Sequence, residues 1–163
     1  MFPEFASRRQ CPGNIRITDQ PEDALSSRRY RILIAHEDEP TCYFIQEILE
    51  EYQDLSILGR TSDGREAVAL TVLHEPDAIL MGVNLASLDG VRATYSITET
   101  CPRIVVIGFT EHFNPSAYTA MRTAGAAAFV CKSDLLGIHE TIVSSIEQSI
   151  NTFVRGRAVD RRS

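Results

Sequence analysis

The chain has 163 residues, 44% of them hydrophobic, and a net charge of −6. That size suits one domain with some spare sequence. No run of 18 or more apolar residues occurs, so no membrane span is expected. The N-terminus carries charges and prolines and no apolar signal stretch, which points to the cytoplasm. Cys11, Cys42, Cys101 and Cys131 show no CxxC or metal-ligand spacing, and no disulfide is expected in a reducing compartment. Residues 32–151 hold 17 acidic and 6 basic residues, whereas the flanks are basic. An acidic centre argues against nucleic-acid binding by the domain itself. The basic tail at 152–163, with Arg155, Arg157, Arg161 and Arg162, reads as a solvated end.

Residues 1–29 contain three prolines and no sustained periodicity, so a flexible extension is expected. Within it, Asn14-Ile-Arg-Ile-Thr18 has the pattern of a short extra strand. From residue 30 to 151 the chain is regular. Arg31–His36 is an apolar run typical of a buried parallel strand. Pro40 opens a helix whose stripe is Phe44, Ile45, Ile48 and Leu49. Leu55–Gly59 predicts a second strand, and Asp63 caps a second helix bearing Ala67, Val68, Leu70 and Val72. Ala78–Val83 predicts the third strand and Val91 to about Thr98 the third helix. Arg103–Phe109 predicts the fourth strand, and Asn114-Pro115 caps the fourth helix. Ala127–Cys131 predicts the fifth strand. Asp134 is expected to cap a last helix bearing Ile138, Ile142, Ile146, Ile150 and Phe153.

Five strands alternating with five helices imply an α/β fold with a parallel sheet covered on both faces. Such folds bind ligands outside the carboxyl ends of the strands, at the switch in strand order. That rule singles out Glu37-Asp38, position 82 and Lys132. Lys132 is the sole lysine in a chain with 15 arginines. A compact ammonium suits a tight pocket lined by carboxylates.

Three stretches resemble the receiver domain of response regulators: Glu37-Asp38-Glu39-Pro40, Asp77–Gly90, and Phe129-Val-Cys131-Lys132. The resemblance spans about residues 30–151. It implies a CheY-like, flavodoxin-like, doubly wound (βα)5 fold with strand order 2-1-3-4-5. It also implies an acidic pair for Mg²⁺, a phospho-accepting aspartate ending the third strand, a Thr or Ser after the fourth, and a Lys after the fifth. The acceptor position is Gly82, which has no side chain and cannot act as a nucleophile. Glu37, Asp38 and the Asn84 carbonyl remain, so Mg²⁺ binding is expected to be weak and no other cofactor is expected.

The Thr/Ser position is open. Aligning Ile104–Ile107 with the family strand selects Gly108, the better fit to the apolar run, and counting back from Lys132 selects Thr110. Phe129 occupies the place of the family's switch aromatic, or is plain core. His36 lies beside the acidic pair, where a hydrogen-bonded neighbour is the simpler reading than a metal ligand. His74, His112 and His139 are dispersed.

The expectation is a non-enzymatic pseudo-receiver of two-component signalling, acting through other signalling proteins without phosphorylation. A homodimer through residues 114–153 is the family's implied self-association. The alternatives are a phospho-acceptor using Asp77 or Asp89, or a small-ligand sensor on the same fold. Only about ten residues follow the last helix, so an output through another protein, or a fragment of a longer regulator, is expected.

Overall fold

The computed structural model describes residues 28–160, with side chains through residue 156. Most of the expected N-terminal extension, including the strand at 14–18, lies outside the described residues, as do residues 161–163.

Each strand arises from an apolar run, and each of the first four helices starts at a polar cap. Strand β1 is Tyr30–Ala35, and α1, Glu39–Glu50, is capped by Asp38. Strand β2 is Leu55–Thr61, and α2, Gly64–His74, is capped by Asp63, which accepts from the Arg65 and Glu66 amides. Strand β3 is Ala78–Gly82, followed by α3, Gly90–Thr100. Strand β4 is Val105–Thr110, and α4, Pro115–Ala124, is capped by Asn114. Strand β5 is Ala128–Cys131 and α5 is Ile138–Asp160. The five strands form one parallel sheet in the order β2-β1-β3-β4-β5. No helix among the described residues is long and apolar enough to cross a membrane.

Period-2 alternation divides the core between the two faces. Ile32, Ile34, Leu80, Ile107 and Phe109 pack toward α1 and α5, meeting Ile45, Leu49, Ile138 and Ile142. Leu33, Ile79, Met81 and Val106 pack toward α2, α3 and α4, meeting Ala67, Ile97 and Met121.

Several boundaries differ from the sequence expectation, β2 running to Thr61 instead of Gly59. Strand β4 begins two residues later than expected and runs one residue further, because the Ile104 amide is held in a turn by the Cys101 carbonyl. Asp134 does not cap the last helix. It lies inside a 3-10 turn, Lys132–Gly137, and α5 starts only at Ile138. Leu135 is buried in the α1/α5 core, and that anchor holds the turn against the sheet instead of letting Asp134 begin a helix. The helix then continues past residue 151 into the basic tail.

The loop after β3 closes tightly. A Cβ on Gly90 would sit 1.8 Å from the Gly82 carbonyl oxygen, so only glycine lets α3 start this close to the strand end. The Gly90 amide donates to the Val83 carbonyl across that contact.

Candidate functional site

The sheet register brings the expected residues to one edge. Ala35 pairs with Met81, Gly82 with Phe109, and Thr110 with Cys131. Glu37, Gly82, Thr110 and Lys132 therefore all stand at carboxyl ends of neighbouring strands. A cleft of about 460 Å³ opens there. Its lining includes His36, Glu37, Asn84, Thr110 and Phe113.

Gly82 is buried, and the space its side chain would enter is already crowded. A Cβ there would lie 3.1 Å from the Ala35 carbonyl oxygen and 3.1 Å from Cδ2 of His36. Ordinary carbon–carbon contacts are about 3.5–4.0 Å. His36 itself is only 4% exposed. Its Nδ1 accepts from the Asp38 amide at 3.1 Å, and its ring meets Phe109 edge-on at 5.3 Å between centroids. The imidazole thus stands beside the missing side chain.

Asp38 and Glu111 share one hydroxyl. Thr41 Oγ1 lies 2.5 Å from Asp38 Oδ2 and 3.1 Å from Glu111 Oε1, and it can donate its single hydrogen to only one at a time. The Thr41 amide also donates to Asp38 Oδ2 at 2.9 Å, which makes Asp38 the cap of α1. These bonds hold the Asp38 carboxyl below its ordinary pKa. The Thr41 hydroxyl and then the Lys132 ammonium do the same for Glu111. Lys132 Nζ is 3.4 Å from Glu111 Oε1. Glu37 is exposed and makes no hydrogen bond or ion pair among the described residues.

The two candidates for the Thr/Ser position occupy different places. Thr110 ends β4 at the cleft, and its hydroxyl donates to the His112 carbonyl at 2.9 Å. Gly108 lies two residues earlier and packs beneath Phe129. A Cβ there would be 2.4 Å from Phe129 Cδ2. Phe129 is half-buried and meets Tyr118 edge-to-face at 5.7 Å.

The other aspartates and histidines have structural partners or lie elsewhere. Asp77 sits at the amino end of β3, where it accepts from the Arg31 amide and pairs with Arg28. Asp89 caps α3 through the Arg92 amide. His139 meets Asp54 at 2.9 Å and stacks on Tyr52, and His74 ends α2. His112 lines the cleft.

The residues present do not fit Mg²⁺. The ion needs several oxygen donors in near-octahedral array. Position 82 offers none from a side chain, and Asp38 already spends Oδ2 on its helix cap. Among the described residues no three His, Cys, Asp or Glu side chains are placed to share a metal. Glu37, Asp38 and Asn84 alone make a poor donor set.

Sequence reasoning missed Thr41 and Glu111. Glu111 follows the end of β4 directly, whereas Thr41 lies in the first turn of α1, just after Pro40. The strand-end rule that selected Glu37 would have selected Glu111 too, had the boundary of β4 been known.

The profile of the response regulator receiver domain matches residues 32–142. The chain is 32% identical over 137 residues to a protein-glutamate methylesterase/protein-glutamine glutaminase 2 of Methanospirillum hungatei, covering 82% of this chain and 39% of that one. It is 31% identical over 138 residues to the transcriptional regulatory protein PdtaR of Mycobacterium tuberculosis, covering 81% of this chain and 65% of that one. The chain thus spans less than two thirds of the length of these relatives. Among solved structures, it resembles the CheX-CheY-BeF3-Mg complex of Borrelia burgdorferi, with a TM-score of 0.67 at 19% identity over 74% of this chain and 92% of that one.

Proposed function

The chain belongs to the response-regulator receiver family, and from that premise we propose that it is a pseudo-receiver: a non-enzymatic signalling module that works without accepting a phosphoryl group. The observation that carries this reading is at position 82. The acceptor carboxylate is missing, and the His36 ring stands 3.1 Å from where its Cβ would be. The Lys132 ammonium has a replacement partner in Glu111. A phosphoryl group arriving here would find no nucleophile and an already paired cation.

A substitute nucleophile draws no support from the geometry. Asp77 is at the opposite end of β3, and Asp89 is occupied as a helix cap.

Signalling then falls to binding. A receiver domain of this fold occurs bound to another protein in the CheX-CheY complex. For this chain we assign the working face to residues 114–153, used for a homodimer or for another cytoplasmic signalling protein. Phe113 is 61% exposed beside the exposed Tyr118, an aromatic pair that water does not favour.

The test is incubation of the chain with acetyl phosphate and Mg²⁺, followed by intact mass. The expected spectrum is unmodified protein. A stoichiometric, base-labile gain of one phosphoryl group would overturn the reading.

A further inference from the structure

We propose that the β3–α3 loop, residues 83–89, is a spring-loaded strap. The Asp63 carboxylate holds it shut against the start of α2 through Ser87, and loss of that grip lets it open and uncover Leu85 and Leu88. The strap works whether or not a nucleophile stands at position 82.

The loop is fastened to the turn before α2 as well as to its own strand and helix. The Gly64 amide donates to the Ala86 carbonyl at 2.9 Å, and the Ala86 amide donates to the Ser62 carbonyl at 3.0 Å. Asp63 and Ala86 thereby form a parallel bridge outside the sheet. The two segments lie so close that a Cβ on Gly64 would sit 1.7 Å from the Leu88 carbonyl oxygen.

The spring is Ser87. Its φ is 63°, in the left-handed region where a side chain crowds its own backbone. Among the described residues only one other non-glycine residue, Glu75, has a positive φ. A residue stays in that state only where its surroundings hold it. The side-chain contact that holds Ser87 is its hydroxyl donating to Asp63 Oδ2 at 2.6 Å. Asp63 is itself fixed, because Oδ1 accepts from the Arg65 amide at 2.8 Å and the Glu66 amide at 3.2 Å. One carboxylate thus caps α2 with one oxygen and closes the strap with the other. The Ser87 hydroxyl, and after it the Glu66 amide, keep the Asp63 carboxyl below its ordinary pKa. It is therefore ionised at neutral pH, and an ionised acceptor makes the stronger hydrogen bond.

The underside of the strap is apolar. Leu85 and Leu88 are partly buried against the core that α2, α3 and α4 cover. Asn84, at the β3 end, lines the cleft. The α3 end is held by the close packing of Gly90 on the Gly82 carbonyl. Opening therefore withdraws Asn84 from the cleft and exposes two leucines, an apolar patch that a partner protein can bind.

Amide hydrogen exchange on the full chain tests the strap. It is read at Ala86 and Gly64, whose N–H groups fasten the loop, with Leu80 and Ile107 in the central strands as reference. Ser87→Ala removes the hydroxyl and keeps the left-handed demand. Ala86 and Gly64 should then exchange about tenfold faster, the worth of one hydrogen bond to a charged group, with the reference amides unchanged. Ser87→Gly loses the same hydroxyl but carries no left-handed cost, so its amides should exchange roughly fivefold more slowly than those of Ser87→Ala. Asp63→Ser keeps a helix cap on a side chain too short to reach Ser87, and should match Ser87→Ala. The double variant Asp63→Ser with Ser87→Ala should add little to either alone, because both remove one contact. Ser87 is exposed, so its variants are expected to fold.

Unchanged exchange at Ala86 and Gly64 in Ser87→Ala overturns the proposal, since the backbone bonds alone would then hold the loop. Equal exchange in Ser87→Ala and Ser87→Gly removes the spring and overturns it too. Acceleration that reaches Leu80 and Ile107 to the same degree reports global unfolding in place of strap opening, with the same consequence.

Discussion

Lys132 Nζ lies 3.4 Å from Glu111 Oε1, so the carboxylate facing the domain's single lysine comes from the end of β4 and not from β3. Both side chains are partly exposed, and such a pair contributes little stability alone. Its importance is placement. It ties β4 to the turn after β5, and Thr41 extends the tie to α1.

The pH dependence of stability tests that network. Folding lowers the pKa of Glu111 and of Asp38. A carboxyl lowered by folding contributes stability that is present above its unfolded pKa and lost as pH falls through its folded pKa. Urea unfolding should therefore show stability falling as pH drops below about 4, the ordinary carboxylate range. Glu111→Gln should flatten that fall. An unchanged acid slope would mean that the Thr41 and Lys132 contacts do not form in solution.

Thr41 gives a second handle. It is 3% exposed, and its hydroxyl serves two carboxylates. Thr41→Val keeps the shape and removes the donor, which should cost about 1–3 kcal/mol. Denaturant titration measures it, and a neutral result would show that water replaces the hydroxyl.

The fold was legible because each strand is an apolar run and each cap is local: Asp63 before α2, and Asn114-Pro115 before α4. Glu37 and Lys132 were legible because they adjoin such runs. What stayed hidden depends on contacts distant in sequence. Whether Thr110 or Gly108 reaches the cleft is decided by the β4–β5 register, which pairs Thr110 with Cys131. Asp134 read as a cap because nothing local reveals that Leu135 is drawn into the core. The Glu111–Lys132 pair joins residues 21 positions apart and has no local signature.

The Gly108–Phe129 fit predicts a coupled pair. Gly108→Ala drives a Cβ into the ring at 2.4 Å and should destabilise by about 1–3 kcal/mol. In the double variant with Phe129→Ala the clash disappears, so the combined loss should be smaller than the sum of the two single losses. Additive losses would place the ring elsewhere in solution.

The proposed self-association face makes a concentration-dependent prediction. Light scattering should show a dimer at high concentration. Tyr118→Glu, on the exposed side of α4 against Phe113, should return it to monomer with its circular dichroism spectrum unchanged. A wild-type chain that stays monomeric removes the homodimer and leaves a heterologous partner for that surface.

Restoring the aspartate should not by itself restore phosphorylation. In Gly82→Asp the new Cβ meets His36 and the Ala35 carbonyl at 3.1 Å, and overpacking of this kind costs about 1–3 kcal/mol. The new carboxylate also joins Glu37, Asp38 and Glu111 in one small volume, where like charges oppose one another. Lys132, meanwhile, is paired with Glu111. Relief requires three changes together. Gly82→Asp with His36→Val and Glu111→Ala removes the imidazole contact and frees the lysine, leaving only the Ala35 carbonyl contact to relax, and this triple variant is expected to gain a phosphoryl adduct from acetyl phosphate by intact mass. An adduct on the single variant would show that His36 and Glu111 yield easily. No adduct on the triple variant would mean that the loss extends beyond these three positions.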